Sequence, residues 1–126
     1  MRSLRLRVLE GEYAVWKLPP EGTPPVLNPA ELLSITRTAT ELSVVARADQ
    51  APQGFPVEAG WRCLEVDGPL AFDLTGILAA ISAPLAAAGI PIFAVSTFDT
   101  DYVLVRASDL ERAVAALQET GHEVTG

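Results

Sequence analysis

From Leu74 to Phe98 the chain carries no charged side chain, and this run constrains the fold more than any other feature. It is long enough to be tested as a membrane span. Pro84, Gly89 and Pro91 interrupt it, however, and no basic flank anchors it, so a soluble helix followed by a buried strand explains it better. The helix is expected from about Asp73 to Ala88, with Asp73 or Thr75 as N-cap, Gly89 as stop and Pro84 kinking it or marking its weakest turn. Pro91 to Thr97 is then an apolar strand, and a short polar turn leads to a second strand from Tyr102 to Arg106. Upstream, Trp61 to Asp67 reads as a strand broken by Gly68-Pro69. Downstream, Ser108-Asp109-Leu110-Glu111 has the form of a capping box. Leu110, Val114 and Leu117 share a helical face, Gly121 ends that helix, and His122 to Thr125 can return as a last strand. The order β-α-β-β-α-β, with two helices on one face of a four-stranded sheet, is an α+β, ferredoxin-like fold.

The N-terminal half is less regular. Leu4 to Glu10 and Glu12 to Leu18 read as strands joined at Gly11. A loop with Pro19, Pro20, Pro24 and Pro25 follows, then a short helix from Pro29 to about Leu33 capped by Asn28. Glu41 to Arg47 is another strand, and Asp49 to Ala59 a loop. Ser34 to Val45 aligns without a gap on Ala94 to Val105, so that Thr40-Glu41 falls on Thr100-Asp101. This suggests two copies of one α-β-β unit. Residues 1–59 would be a degenerate half (ββαββ) and residues 60–126 a complete domain (βαββαβ), packed as one compact unit.

Composition removes several functions. With 126 residues, 49% of them apolar, the chain can bury a core without staples. A net charge of -7 with no basic cluster argues against nucleic acid and against an anionic membrane as partner. RNA binding on this fold would also need aromatic residues on a basic sheet. The single cysteine, Cys63, excludes an internal disulfide and any paired-cysteine metal motif, and suits a reducing compartment. Residues 4–8 alternate Leu or Val with Arg, which is a strand pattern and no signal peptide. The expected location is the cytoplasm. His122 is the only histidine and has no second ligand type near it, and no nucleophile sits beside a base. Neither a metal, a cofactor nor catalysis is expected.

The unit between Asp73 and Asp101 has chemistry suited to a small zwitterion. Amides at a helix start attract a carboxylate, and a nearby side-chain carboxylate attracts an ammonium group. Thr75-Gly76 can expose such amides, Gly76 having no side chain to block approach. Asp101, and after it Asp99, can take the ammonium. Set against this, Asp73 can simply cap its helix, and Asp99 and Asp101 can be solvated turn residues. Phe98 is either a core residue or a wall for a ligand. Arg37 can meet a ligand carboxylate or pair with Glu41 on the surface.

The strings Phe72-Asp73-Leu74-Thr75-Gly76-Ile77-Leu78, Leu85-Ala86-Ala87-Ala88-Gly89-Ile90-Pro91-Ile92 and Ser96 to Val105 resemble the ACT domain. More narrowly, they resemble bacterial tandem-ACT proteins related to the cytosolic arginine sensors of animals; Ser34 to Thr38 and Glu41 to Val45 are similar to that subgroup too. The resemblance implies a non-catalytic regulatory module that binds an amino acid at an ACT–ACT interface. It also implies pairing into a homodimer. With no effector domain expected on the chain, a signal would pass to a separate effector protein, or the protein would act as a ligand buffer. A structural dimerisation module without a ligand is the alternative. Ligand contacts implied by the resemblance fall on residues 71–76, among them Asp73, Leu74, Thr75 and Gly76, and on Thr97, Phe98 and Asp101. Leu74 stands where the animal sensors carry an acidic residue, which removes a partner for a guanidinium and weighs against arginine.

Overall fold

Strand β5 (Val57–Val66) is the longest strand of the computed structural model, which describes residues 3–71 and 75–126. The chain divides after Glu10 and after Trp61. Gly11–Trp61 form one compact unit, and the segments before and after it form the other.

In the second of these units the sheet order is β6 (Ile92–Ser96), β7 (Asp101–Arg106), β5, β1 (Arg5–Val8), β8 (Glu123–Thr125). The fold is the expected α+β, ferredoxin-like one, with helices α1 (Ile77–Ala87) and α2 (Leu110–Glu119). The expected four-stranded sheet is corrected to five strands, because β1 lies between β5 and β8: it pairs antiparallel with β5 (Leu6 opposite Val66) and parallel with β8 (Leu6 opposite Val124). β1 and the next strand in sequence (Tyr13–Leu18) each pair with β5. Strand pairing over more than a hundred residues leaves no trace in local pattern. Leu4, Leu6, Leu64, Val66, Val103 and Val105 meet Ile77, Ile81, Leu85, Ala113 and Leu117 in one buried cluster, which is the core of this unit.

Helix α1 runs through Pro84 without ending there. Proline has no N–H, so the Ala80 carbonyl four residues earlier loses its helical donor. His122 supplies the missing bond. Its Nε2 lies 3.0 Å from the Ala80 oxygen, and its Nδ1 accepts the Leu4 amide at 3.0 Å. With Nδ1 accepting, Nε2 is the ring nitrogen that donates to the Ala80 carbonyl. His122 is 4% exposed, so the lone histidine is a core bridge between β1, α1 and the start of β8. The capping box before α2 does not form. A 3₁₀ turn (Ala107–Asp109) leads into the helix without a side-chain cap. The Asp109 carboxylate instead holds Arg112 at 2.9 Å, and Arg112 donates to the terminal Ala88 carbonyl of α1 at 2.6 Å.

The unit Gly11–Trp61 orders its strands β3 (Ser34–Arg37), β4 (Leu42–Arg47), β2 (Tyr13–Leu18) and the first half of β5. Its cluster is Ala14, Trp16, Val44 and Ala46, covered by Leu27, Leu33 and Val57. Residues 57–59, expected as loop, are strand. Gly60 hid this, because its φ of +81° accompanies a bulge, with Tyr13 opposite Trp61 but Val15 opposite Glu58. The short helix expected from Pro29 is absent. Gln50 holds Asn28 with a reciprocal pair of bonds: the Asn28 amide donates to Oε1 at 2.7 Å, and Nε2 donates to the Asn28 carbonyl at 3.1 Å; the Ala30 amide also donates to that carbonyl at 3.0 Å, closing a three-residue turn in place of a helical one.

The internal repeat is real in form but displaced by one residue. The β3–β4 hairpin closes on Arg37 opposite Leu42, and the β6–β7 hairpin on Ser96 opposite Asp101. Arg37 therefore corresponds to Ser96, Thr38 to Thr97 and Leu42 to Asp101. The same offset superposes the 3₁₀ turns Ala48–Gln50 and Ala107–Asp109. A shift of one residue turns every side chain to the opposite face, so the alignment of Thr40-Glu41 on Thr100-Asp101 cannot hold.

Candidate functional site

The turn that joins β6 to β7 is fixed by threonines. The Thr97 amide donates to the Thr100 carbonyl at 2.8 Å, and the Thr100 amide returns a bond to Thr97 Oγ1 at 3.3 Å. Thr100, 8% exposed, anchors the turn to β5 by donating from Oγ1 to the Val66 carbonyl at 2.6 Å. The Asp99 carbonyl accepts the Leu70 amide at 2.6 Å. A Cβ on Gly68 would lie 3.1 Å from both the Asp99 carbonyl and Thr100, so the chain after β5 and the hairpin turn are in close contact.

Against this turn stands the start of α1. Gly76 precedes the helix with φ of +76°, and no side chain caps the helix there. Thr75 is exposed and does not act as N-cap; Asp73 and Leu74 lie outside the described residues. The first helical bond is donated by Ala80 to the Gly76 carbonyl. The amides of Ile77, Leu78 and Ala79 thus have no acceptor within the helix. Glycine is required at 76 for its left-handed backbone, since a Cβ there would meet nothing within 4 Å. The expected reason, close approach, is replaced by a conformational one.

The two features enclose a cavity of about 420 Å³. Gly76, Ile77 and Leu78 form one side, and Ser96, Thr97, Phe98, Asp99 and Asp101 the other. Phe98 is 79% exposed, which removes it from the core and leaves it at the cavity rim. Asp101 accepts a 2.6 Å hydrogen bond from Ser96 Oγ, its cross-strand neighbour, on one carboxylate oxygen. Sequence reasoning passed over Ser96, which only the hairpin register reveals. Arg37 does not pair with Glu41. In the unit Gly11–Trp61 its guanidinium donates to the Pro20 and Gly22 carbonyls, the latter at 2.8 Å.

Beyond Asp101, Tyr102 donates to Glu65 Oε2 at 2.9 Å, while Arg7 holds Glu65 Oε1 at 2.9 Å. Burial, then the hydrogen bond to the Glu65 carboxylate and its charge, raise the Tyr102 phenol to about 12. This polar chain fixes β7 against β5 and β1 on the sheet. Among the described residues no group of His, Cys, Asp and Glu side chains could hold a metal ion, and no helix is long and apolar enough to cross a membrane.

A ferredoxin-like α+β domain with a cavity at the junction of a helix start and a strand hairpin defines the structural class. The chain belongs to the ACT domain family, whose model matches residues 57–119. Over 59 residues it is 42% identical to the human protein described as cytosolic arginine sensor for mTORC1 subunit 1, which covers 46% of this chain and 18% of that one. The match thus spans less than a fifth of the length of the curated relatives. A crystal structure of an Agobacterium tumefaciens protein superposes with a TM-score of 0.93 at 40% identity, covering 100% of this chain and 96% of the other. The regulatory subunit of aspartate kinase from Thermus thermophilus gives a TM-score of 0.61 at 11% identity, covering 91% of this chain and 96% of the other, a likeness of fold alone.

Proposed function

We propose that this protein is a non-catalytic regulator that binds an amino acid, or a similar small zwitterion, in the α1 cavity at an ACT–ACT interface. The observation that carries this is the meeting, around one cavity of about 420 Å³, of first-turn helix amides that have no acceptor within the helix with the Asp101 carboxylate. The size is at the small end of ligand pockets. The amides and helix dipole would hold the ligand carboxylate, and Asp101, oriented by Ser96, would hold its ammonium. Phe98 at the rim offers an apolar wall, and Thr97 fixes the turn. Asp73, Leu74, Thr75, Asp99 and Arg37 complete the set expected from sequence, with Thr75 and the solvated Asp99 secondary to Asp101. Similarity to an arginine sensor and, in fold, to a regulatory subunit of aspartate kinase supports amino-acid regulation. Leu74 in place of an acidic residue disfavours arginine itself. The chain is taken as two ACT-type copies, 1–59 degenerate and 60–126 complete, acting as a cytoplasmic homodimer on a separate effector protein.

The test is the thermal midpoint of the purified chain against each natural amino acid at millimolar concentration. A ligand at about a hundred times its Kd stabilises the folded state by roughly 2.7 kcal/mol, which moves the midpoint by several degrees. A shift for one or a few amino acids supports the proposal. If none shifts it and mass spectrometry of the denatured protein finds no retained ligand, the proposal fails. One observation favours the alternative of a dimerisation module: β6 stands at the edge of its sheet with one side unpaired by any described strand. That alternative predicts concentration-dependent dimers with no ligand response.

A further inference from the structure

Along β5, Arg62, Leu64 and Val66 project onto one face of the strand. Leu64 and Val66 are buried in the core under the helices, and Arg62 continues their row where the pattern calls for an apolar side chain. It lines a groove of about 470 Å³ at α2, β1 and β8, with apolar walls from Val8, Leu110, Val114 and Val124 and with Glu111 also in the lining. The guanidinium makes one hydrogen bond, from Nη2 to the Leu9 carbonyl at 3.3 Å. Its Nε is buried and has no hydrogen-bond partner among the described residues. Arginine is permanently charged, so the unmet donor is not removed by losing a proton. A half-buried guanidinium with an unmet donor, beside an apolar groove, is the complement of a carboxylate with a hydrocarbon tail.

We propose that this groove is a second ligand site, taking a small aliphatic carboxylate whose anionic end is bound by Arg62 and whose chain lies against Leu110, Val114 and Val124. It shares no lining residue with the α1 cavity. The carboxylate can belong to a free acid or to an apolar amino acid, whose ammonium group Glu111 would meet. These two sources are separated by 4-methylpentanoate and leucine, which share a carbon skeleton and differ by the amino group.

The experiment is a titration of the full chain with 4-methylpentanoate, leucine and uncharged 4-methylpentan-1-ol, followed by calorimetry and by amide chemical shifts. At least one of the two carboxylates should bind and shift amides around Val114 and Val124, with the alcohol weaker by about tenfold or more. Arg62→Leu, which completes the apolar row and should fold, is expected to weaken binding by about ten- to a hundredfold. Val114→Trp should block the groove with Arg62 intact, while Asp101→Ala should leave this site unchanged. Tighter leucine binding that depends on Glu111 identifies an amino acid as the occupant, and tighter 4-methylpentanoate binding a free acid. Two results overturn the proposal: neither carboxylate binds at millimolar concentration, or binding is undiminished in both Arg62→Leu and Val114→Trp.

Discussion

The hairpins β3–β4 and β6–β7 share one turn and differ in what they present. In both, a threonine amide donates to the carbonyl three residues on at 2.8 Å, from Thr38 to Glu41 and from Thr97 to Thr100. In both, the threonine hydroxyl accepts the amide of that third residue, at 3.1 Å and 3.3 Å. Yet the strand position after the turn is Leu42 in one hairpin, 1% exposed, and the partly exposed carboxylate of Asp101 in the other. Opposite these stand Arg37 and Ser96. Only the second hairpin faces a helix start, because the unit Gly11–Trp61 has no α-helix. The same turn chemistry can therefore precede a buried apolar side chain in one hairpin and a carboxylate in the other. What separates the hairpins is burial of a single side chain and the presence of α1.

The strongest way to break the comparison is to exchange the two residues. Leu42→Asp places a carboxylate at a position only 1% exposed, where its cross-strand neighbour Arg37 already donates to the Pro20 and Gly22 carbonyls, and is expected to cost about 3–5 kcal/mol or to unfold the N-terminal unit. Asp101→Leu should stay within about 1 kcal/mol of the parent protein. Urea unfolding of both variants checks this, and equal destabilisation would show that the positions are not distinguished by burial. In the same series, Asp101→Ala should remove the ligand-induced stabilisation of about 2.7 kcal/mol while leaving the fold intact. Undiminished affinity in a folded Asp101→Ala protein would take this residue out of the site.

The helix layer that the first unit lacks depends on the bridge made by His122. Its replacement by Ala leaves the Leu4 amide and the Ala80 carbonyl unpaired and is expected to cost about 2–4 kcal/mol. Pro84→Ala returns a helical donor to Ala80, so the His122→Ala change should be milder in that background by about 1 kcal/mol. A double-mutant cycle by chemical denaturation measures the coupling. A value of zero would mean that His122 is held for its packing alone.

Much of the second unit was legible because its elements are local. An uncharged helix, a buried strand, a short turn and an amphipathic helix each announce themselves within a dozen residues. The insertion of β1 between β5 and β8 was not legible, since no local pattern records pairing between residues near the two ends of the chain. The repeat misaligned because Thr40-Glu41 looks like Thr100-Asp101, whereas the turns are built on Thr38 and Thr97. The bulge at Gly60 made residues 57–59 of β5 read as loop. Of the expected site, Gly76, Thr97, Phe98, Asp99 and Asp101 do line one cavity, which follows from their placement at adjacent element ends. Ser96 was hidden because its role depends on register, and Arg62 because it sits inside an apolar strand pattern.

Gly76→Ala tests whether the helix start is set by backbone conformation. There is room for the methyl group, so the expected loss of about 1–2 kcal/mol arises from the left-handed φ alone. An unchanged denaturation midpoint would refute that account.

The smallest expected effect concerns Tyr102, for which the first hairpin has Ser43 at the corresponding position and so no counterpart. Its phenol is neutral in the folded protein up to about pH 12, against an ordinary value of 10.0. A folded-state value raised above the unfolded one stabilises the protein while the phenol is neutral in both states. The contribution is therefore complete below pH 10 and is lost as pH rises from there through about 12. Stability measured by urea unfolding between pH 9 and about 12 should fall more steeply for the parent protein than for Tyr102→Phe. Glu65→Gln should bring the phenol down by removing the charged acceptor, so that absorbance at the phenolate wavelength rises at lower pH. Parallel stability curves for the parent protein and Tyr102→Phe would show that the bond from Tyr102 to Glu65 does not persist in solution, and with it the polar chain that ties β7 to β5 and β1.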